Sequence, residues 1–119
     1  MGHDPSAVDY DVLHEAKSLM KARWPDLVNG YLSDAARYVD GIKQGINDND
    51  CDAVSFNAHS LKSSSLGMGA KGLGDVACSI ESGARGIVDS GGDISVLNDL
   101  IPLVEEALDH AVTNLKSTI

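Results

Sequence analysis

Near the C-terminus, apolar residues recur at alternating spacings of three and four: Leu97, Ile101, Val104, Leu108, Ala111 and Leu115. Only an α-helix brings such positions onto one stripe. A stripe of this kind is a seam that must be buried against other helices. The same pattern governs the earlier segments. Leu27, Val28, Tyr31, Leu32, Ala35, Tyr38, Val39, Ile42 and Ile46 share one broad face, and Asp34, Arg37, Asp40 and Gln44 fall outside it. Further on, Leu73, Val76, Ala77, Ile80, Ala84, Ile87 and Val88 form another such face. No alternating strand pattern competes.

Punctuation divides these faces into elements. Asp4-Pro5-Ser6 signals a helix start, Pro25 suits a first helical turn, Asn47 to Asp50 is a turn rich in N-caps, and Ser90-Gly91-Gly92 is a stop. The expected helices span roughly residues 6–22, 25–46, 51–66, 70–89 and 94–116, within one domain over 1–119. Four long amphipathic segments joined by short turns predict an all-α, up-down antiparallel four-helix bundle, flanked by a shorter additional N-terminal helix.

Composition narrows the function. The chain of 119 residues carries a formal charge of −9 and only 4% aromatic residues. That balance argues against nucleic acid and against an anionic membrane surface. No apolar run approaches the roughly 20 residues needed to span a bilayer. Cys51 and Cys78 form no CxxC pair, and nothing in Met1 to Ser6 resembles a signal peptide. A monomeric cytoplasmic protein with reduced thiols is expected. Met1-Gly2 with Ser6 fits the loose acylation pattern, which is too short to carry weight.

The chemistry sits on the third expected helix. With Val54 placed inward, Ala58, Leu61 and Ser65 fall within roughly 40° of it, whereas His59 lies roughly 140° away and faces outward. Lys62 and Ser63 share its face, one turn on. A free imidazole titrates near pH ~6.5, so a neutral ring nitrogen is available as a nucleophile for a phosphoryl group. Lys62 offers compensating charge. Ser63, Ser64, Ser65, Gly67, Gly69 and Ala70 keep the neighbourhood low in profile.

Ala58-His59-Ser60-Leu61-Lys62-Ser63-Ser64-Ser65, followed by Gly69-Ala70, resembles the signature of histidine phosphotransfer domains, A-H-x-L-K-G-S-[SA] and then G-A. Leu73, Cys78 and Glu81 resemble the hydrophobic, small and acidic or amide positions of that family's next helix. Ser63 stands where the family usually has Gly. The resemblance implies a phosphorelay intermediate in two-component signalling, free-standing and of bacterial type. His59 would accept a phosphoryl group from a receiver-domain phospho-aspartate and pass it to another receiver. It also implies Lys62 as charge stabiliser, with Ser63, Glu81 and Arg85 in support. Glu81 would orient the imidazole, unless Glu81 and Arg85 form only an exposed i,i+4 ion pair. Ser55, Leu66, Gly69 and Ala70, with exposed residues of the first two helices, would form the docking surface. Such a protein is a phosphocarrier rather than an enzyme and has no cofactor of its own. Mg2+ would reside in the response-regulator receiver domain, and a hybrid sensor histidine kinase would stand upstream.

Two other roles are open to the same residues: a phosphoacceptor segment of a larger histidine kinase, and a helical docking module that is never phosphorylated. Other motifs fail on context. Gly67-Met68-Gly69-Ala70-Lys71-Gly72 spells GxGxxG with no preceding strand. Asp48, Asp50 and Asp52 begin like a calcium loop, but Ala53 and His59 occupy the positions where Gly and Glu are required. Cys51, His59 and Cys78 lack metal-site spacing, and no metal ligand set is expected.

Overall fold

A computed structural model describes residues 3–119. Met1 and Gly2, and with them the start of the acylation-like pattern, lie outside the described residues. Among the described residues five α-helices follow one another: α1 (Tyr10–Met20), α2 (Trp24–Asn47), α3 (Cys51–Gly67), α4 (Lys71–Ser90) and α5 (Ile101–Lys116). Short 3-10 turns at Lys21–Arg23 and Ile94–Leu100 lead into α2 and α5. In the four-helix bundle, α3 packs against α2 and α4, and α5 packs against the same two from the other side, while α1 lies along α2 and α3.

The turns explain why each helix starts where it does. Asp50 caps α3 by accepting the Ala53 amide at 3.0 Å, and Asn49 takes the left-handed conformation just before it. Gly91 ends α4 in the left-handed conformation, its amide bonded to the Ile87 carbonyl at 2.8 Å. Between α3 and α4, Gly69 has φ +80°, and a Cβ there would fall 2.7 Å from the Asp9 carbonyl oxygen. Only glycine satisfies both conditions.

Two expected helices differ from their sequence-based extents. The first begins at Tyr10, not Ser6. Asp4 and Ser6 close a local turn, the Asp9 amide bonds to the Gly69 carbonyl and the Ala7 carbonyl accepts the Gly72 amide, each at 2.9 Å. These backbone groups are committed to the α3–α4 turn and are not free for a helical ladder. The last α-helix begins at Ile101, not Ile94. Pro102 has no amide to donate and sits in the first turn of α5, so the chain before it tightens into 3-10 geometry.

The core contains the predicted stripes, with Val28, Ala35, Ile42, Val54, Ala58, Leu61, Val76, Ala77, Ile80 and Val104 fully enclosed. Val88, expected on the inner face of α4, is 58% exposed, because the end of α4 runs past the core. Trp24 is buried, and its indole nitrogen donates to Thr118 Oγ1 at 2.8 Å, fastening the C-terminal end of the chain to the start of α2. Tyr31 and Ser65 share a buried hydrogen bond of 2.6 Å between α2 and α3. No described helix is long and apolar enough to cross a membrane.

Candidate functional site

His59 projects from the middle of α3 with 55% of its side chain exposed. Beneath it, from α4, comes Glu81, a carboxylate with only 4% of its side chain exposed. Bare burial of a carboxylate is costly. Here three side chains offset that cost. His59 Nδ1 lies 2.8 Å from Oε2, Lys62 Nζ donates to Oε1 at 2.7 Å, and Arg85 Nη2 reaches Oε2 at 2.7 Å. Arg85 Nε also reaches Ser55 Oγ at 3.4 Å, which ties the cluster back to α3.

Burial raises the Glu81 pKa, but the hydrogen bonds from Lys62 and His59, with the charges of Lys62 and Arg85, overcome it and hold the carboxyl below its ordinary range. The group is therefore ionised near neutral pH. An ionised carboxylate only accepts hydrogen bonds, so the shared proton sits on His59 Nδ1. The imidazole is then the tautomer whose Nε2 carries the lone pair and points away from Glu81. With the imidazole neutral, Lys62 and Arg85 outweigh Glu81 by one positive charge on a chain of net charge −9.

The structure brings His59, Lys62, Glu81, Arg85 and Ser55 into one cluster. Glu81 and Arg85 are not merely an exposed i,i+4 pair, since Glu81 is buried and shared. Leu66 is 42% exposed and lies where a side chain on Gly74 would otherwise sit. Ser63 is exposed one turn beyond His59. Gly69 and Ala70 do not belong to an outer docking face. Both are buried, Gly69 under Asp9 and Leu13 of the N-terminal segment. Cys78 is exposed one turn before Glu81, and Leu73 is core.

Sequence reasoning passed over Phe56. It is 70% exposed, one turn before His59, and the same helical wheel that turned His59 outward places it roughly 60° away. The burial of Ser65 was legible from its inward position, but its partner Tyr31 was not.

An outward histidine on α3 held from behind by a buried carboxylate is an arrangement suited to group transfer at an exposed helix face. The Hpt domain family model matches residues 26–118, and the chain belongs to that family. The crystal structure of the histidine-containing phosphotransfer protein HptB from Pseudomonas aeruginosa PAO1 superposes with a TM-score of 0.84 at 23% identity, covering 94% of this chain and 93% of that one. That likeness is one of fold. No curated protein sequence matches the chain significantly. Membership of the family makes this protein a phosphocarrier in two-component phosphorelays, a group whose members exchange phosphoryl groups with receiver domains and kinases.

Proposed function

We propose that His59 Nε2 is the phosphoryl acceptor and donor of this protein, working between receiver domains. The observation that carries the reading is the 2.8 Å contact of Nδ1 to the buried Glu81 carboxylate, which supports a proton on Nδ1 and a lone pair on Nε2, in a side chain that is 55% exposed. In the forward step the Nε2 lone pair attacks the phosphorus of a receiver's acyl phosphate. The N–P bond forms as the P–O bond to the aspartyl oxygen breaks, and the carboxylate leaves with that electron pair. The ring becomes cationic during attack. Its Nδ1 proton stays in the hydrogen bond to Glu81, whose negative charge stabilises the developing imidazolium. Lys62, and Arg85 at the rim, oppose the charge of the arriving phosphoryl oxygens. Return to a second receiver reverses these bonds.

Metal and most of the charge neutralisation would come with the receiver, so the chain itself contributes nucleophile, counter-charge and surface. Phe56, Ser55, Ser63 and Leu66 surround His59 and would meet the receiver. A hybrid sensor kinase is the natural source of the phosphoryl group, in the cytoplasm.

Incubation with a phosphorylated receiver should label the chain with acid-labile, base-stable phosphate. His59→Gln should abolish labelling while the helical circular dichroism is retained. Labelling that persists in a folded H59Q variant would exclude His59 as the acceptor.

A further inference from the structure

Glu81 is placed to govern the phosphorylated state as well as the attack. Its two oxygens carry three contacts: Lys62 Nζ on Oε1 at 2.7 Å, and His59 Nδ1 and Arg85 Nη2 on Oε2 at 2.8 and 2.7 Å. Of these three donor types, only an imidazole ordinarily titrates near neutral pH. Once phosphorus is bound to Nε2, the ring has two states. With its Nδ1 proton it is a cation. Without that proton it is neutral and presents a lone pair to Oε2. An ionised carboxylate has no proton to offer this lone pair, and solvent barely reaches the Glu81 side chain. Two lone pairs would then face each other across the same short contact. The carboxylate thus penalises the deprotonated ring and favours the protonated one.

The surrounding charges point the same way. Lys62 comes from α3, and Glu81 and Arg85 come from α4. On the α2 side, Asp34 lines a groove with Ser63 and is paired with Arg37 at 3.0 Å. The N-terminal segment and α1 meet the far end of α3, where Asp9 and Leu13 lie against Gly69. A dianionic phosphoryl group on a cationic ring, together with Lys62, Arg85 and Glu81, makes a cluster of no net charge. Loss of the Nδ1 proton leaves that cluster one negative charge in excess, on a chain already at −9.

The proton also decides what is left behind when the P–N bond breaks and its electron pair returns to Nε2. From the protonated ring the leaving group is a neutral imidazole, its proton still on Nδ1. From the deprotonated ring it would be an imidazolate anion set against Glu81.

We infer that Glu81 keeps phospho-His59 protonated at Nδ1, and so makes it a readily discharged carrier state and not a store. The inference rests on the proposed role of His59 Nε2 and adds to it a control of the phosphoryl lifetime. Glu81 is a positioning residue in this, acting through the ring without touching phosphorus. The proton that speeds transfer to a receiver equally speeds loss to water.

The test labels the full chain with phosphoramidate, a donor with no protein surface. His59→Gln supplies the blank for the other three histidines. 31P and 15N NMR follow the phosphorus and the ring nitrogens as pH is raised, and loss of label gives the hydrolysis rate at each pH. Glu81→Gln can face either ring state, because an amide both donates and accepts. The ring midpoint should fall by at least about one pH unit in E81Q, so that above both midpoints label is lost about tenfold more slowly. The two proteins should converge in acid, where both rings are protonated. Arg85→Gln removes an exposed cation, leaves Glu81 in place and should move the midpoint up. Circular dichroism checks each fold, and R85Q decides the matter if E81Q does not fold. Midpoints and hydrolysis rates that coincide in wild type and folded E81Q overturn the control by Glu81 while leaving His59 as acceptor. A midpoint unchanged or lowered in R85Q overturns it as well. Label retained in full by H59Q, or phosphorus found on Nδ1, overturns the acceptor reading itself.

Discussion

Glu81 Oε2 accepts the His59 Nδ1 proton at 2.8 Å from a position that solvent barely reaches, while 55% of the histidine side chain is exposed. The contact fixes both the ring orientation and the nitrogen that carries the lone pair. Glu81→Gln keeps the size of the side chain and removes its charge. Transfer from a receiver to His59 should slow by about tenfold, the effect of losing roughly 1.4 kcal/mol of charge stabilisation. Stopped-flow or quenched-flow transfer rates measure it, and an unchanged rate would remove Glu81 from the mechanism.

The same carboxylate predicts an acid dependence of stability. Its pKa is lowered on folding from an ordinary value of 4.5. Between the folded and unfolded values the unfolded chain binds more protons, so stability rises with pH there. The contribution is complete above the unfolded value and lost as pH falls through the folded one. Urea denaturation of the wild type and Glu81→Gln across the acid range should show a stability difference that shrinks toward low pH. A difference independent of pH would contradict the assignment.

Lys62 donates to Glu81 Oε1 at 2.7 Å and is the less exposed of the two cations. Lys62→Ala should lower the transfer rate by about tenfold, with Lys62→Arg restoring part of it, because the charge matters more than the geometry of a point-charge contact. Equal rates for all three proteins would assign Lys62 a purely structural place.

Burial pushes the Tyr31 phenol up to about 12, so it stays protonated and available to Ser65. Tyr31→Phe leaves the Ser65 hydroxyl enclosed without its partner and should cost about 1–3 kcal/mol. Adding Ser65→Ala should recover much of that loss. A double-mutant cycle by chemical denaturation checks the coupling, and strict additivity would show that the bond contributes nothing.

Two neighbouring glycines should respond oppositely to the same change. Gly69→Ala meets both the left-handed φ and the Asp9 carbonyl, and should destabilise by about 2 kcal/mol or more. Gly67→Ala meets open space and should be neutral or stabilising by up to about 1 kcal/mol. Thermal midpoints of the two variants give a direct comparison.

Most of this was legible because helices announce their buried faces by period. The stripe of Leu97 to Leu115 and the outward angle of His59 needed only the geometry of 3.6 residues per turn. The start of α1 was not legible, because it depends on Asp9 and Ala7 bonding to Gly69 and Gly72, about sixty residues away. The start of α5 could have been read from Pro102, which the seam pattern overrode. The burial of Glu81 is a tertiary fact: on α4 alone it resembles any surface glutamate beside an arginine. Phe56 was overlooked because a single exposed aromatic has no period.

The bond between Trp24 and Thr118 bears on where this protein can be cut. The stretch matched by the family model begins at Asp26, two residues after Trp24. A polypeptide trimmed to that boundary would lose the indole, along with Leu13 and the backbone cover over Gly69. It would keep every residue of the phosphoryl site and yet stand on an unsealed base. The recognisable module thus leaves out contacts that the folded chain makes through Trp24, Leu13 and the segment over Gly69.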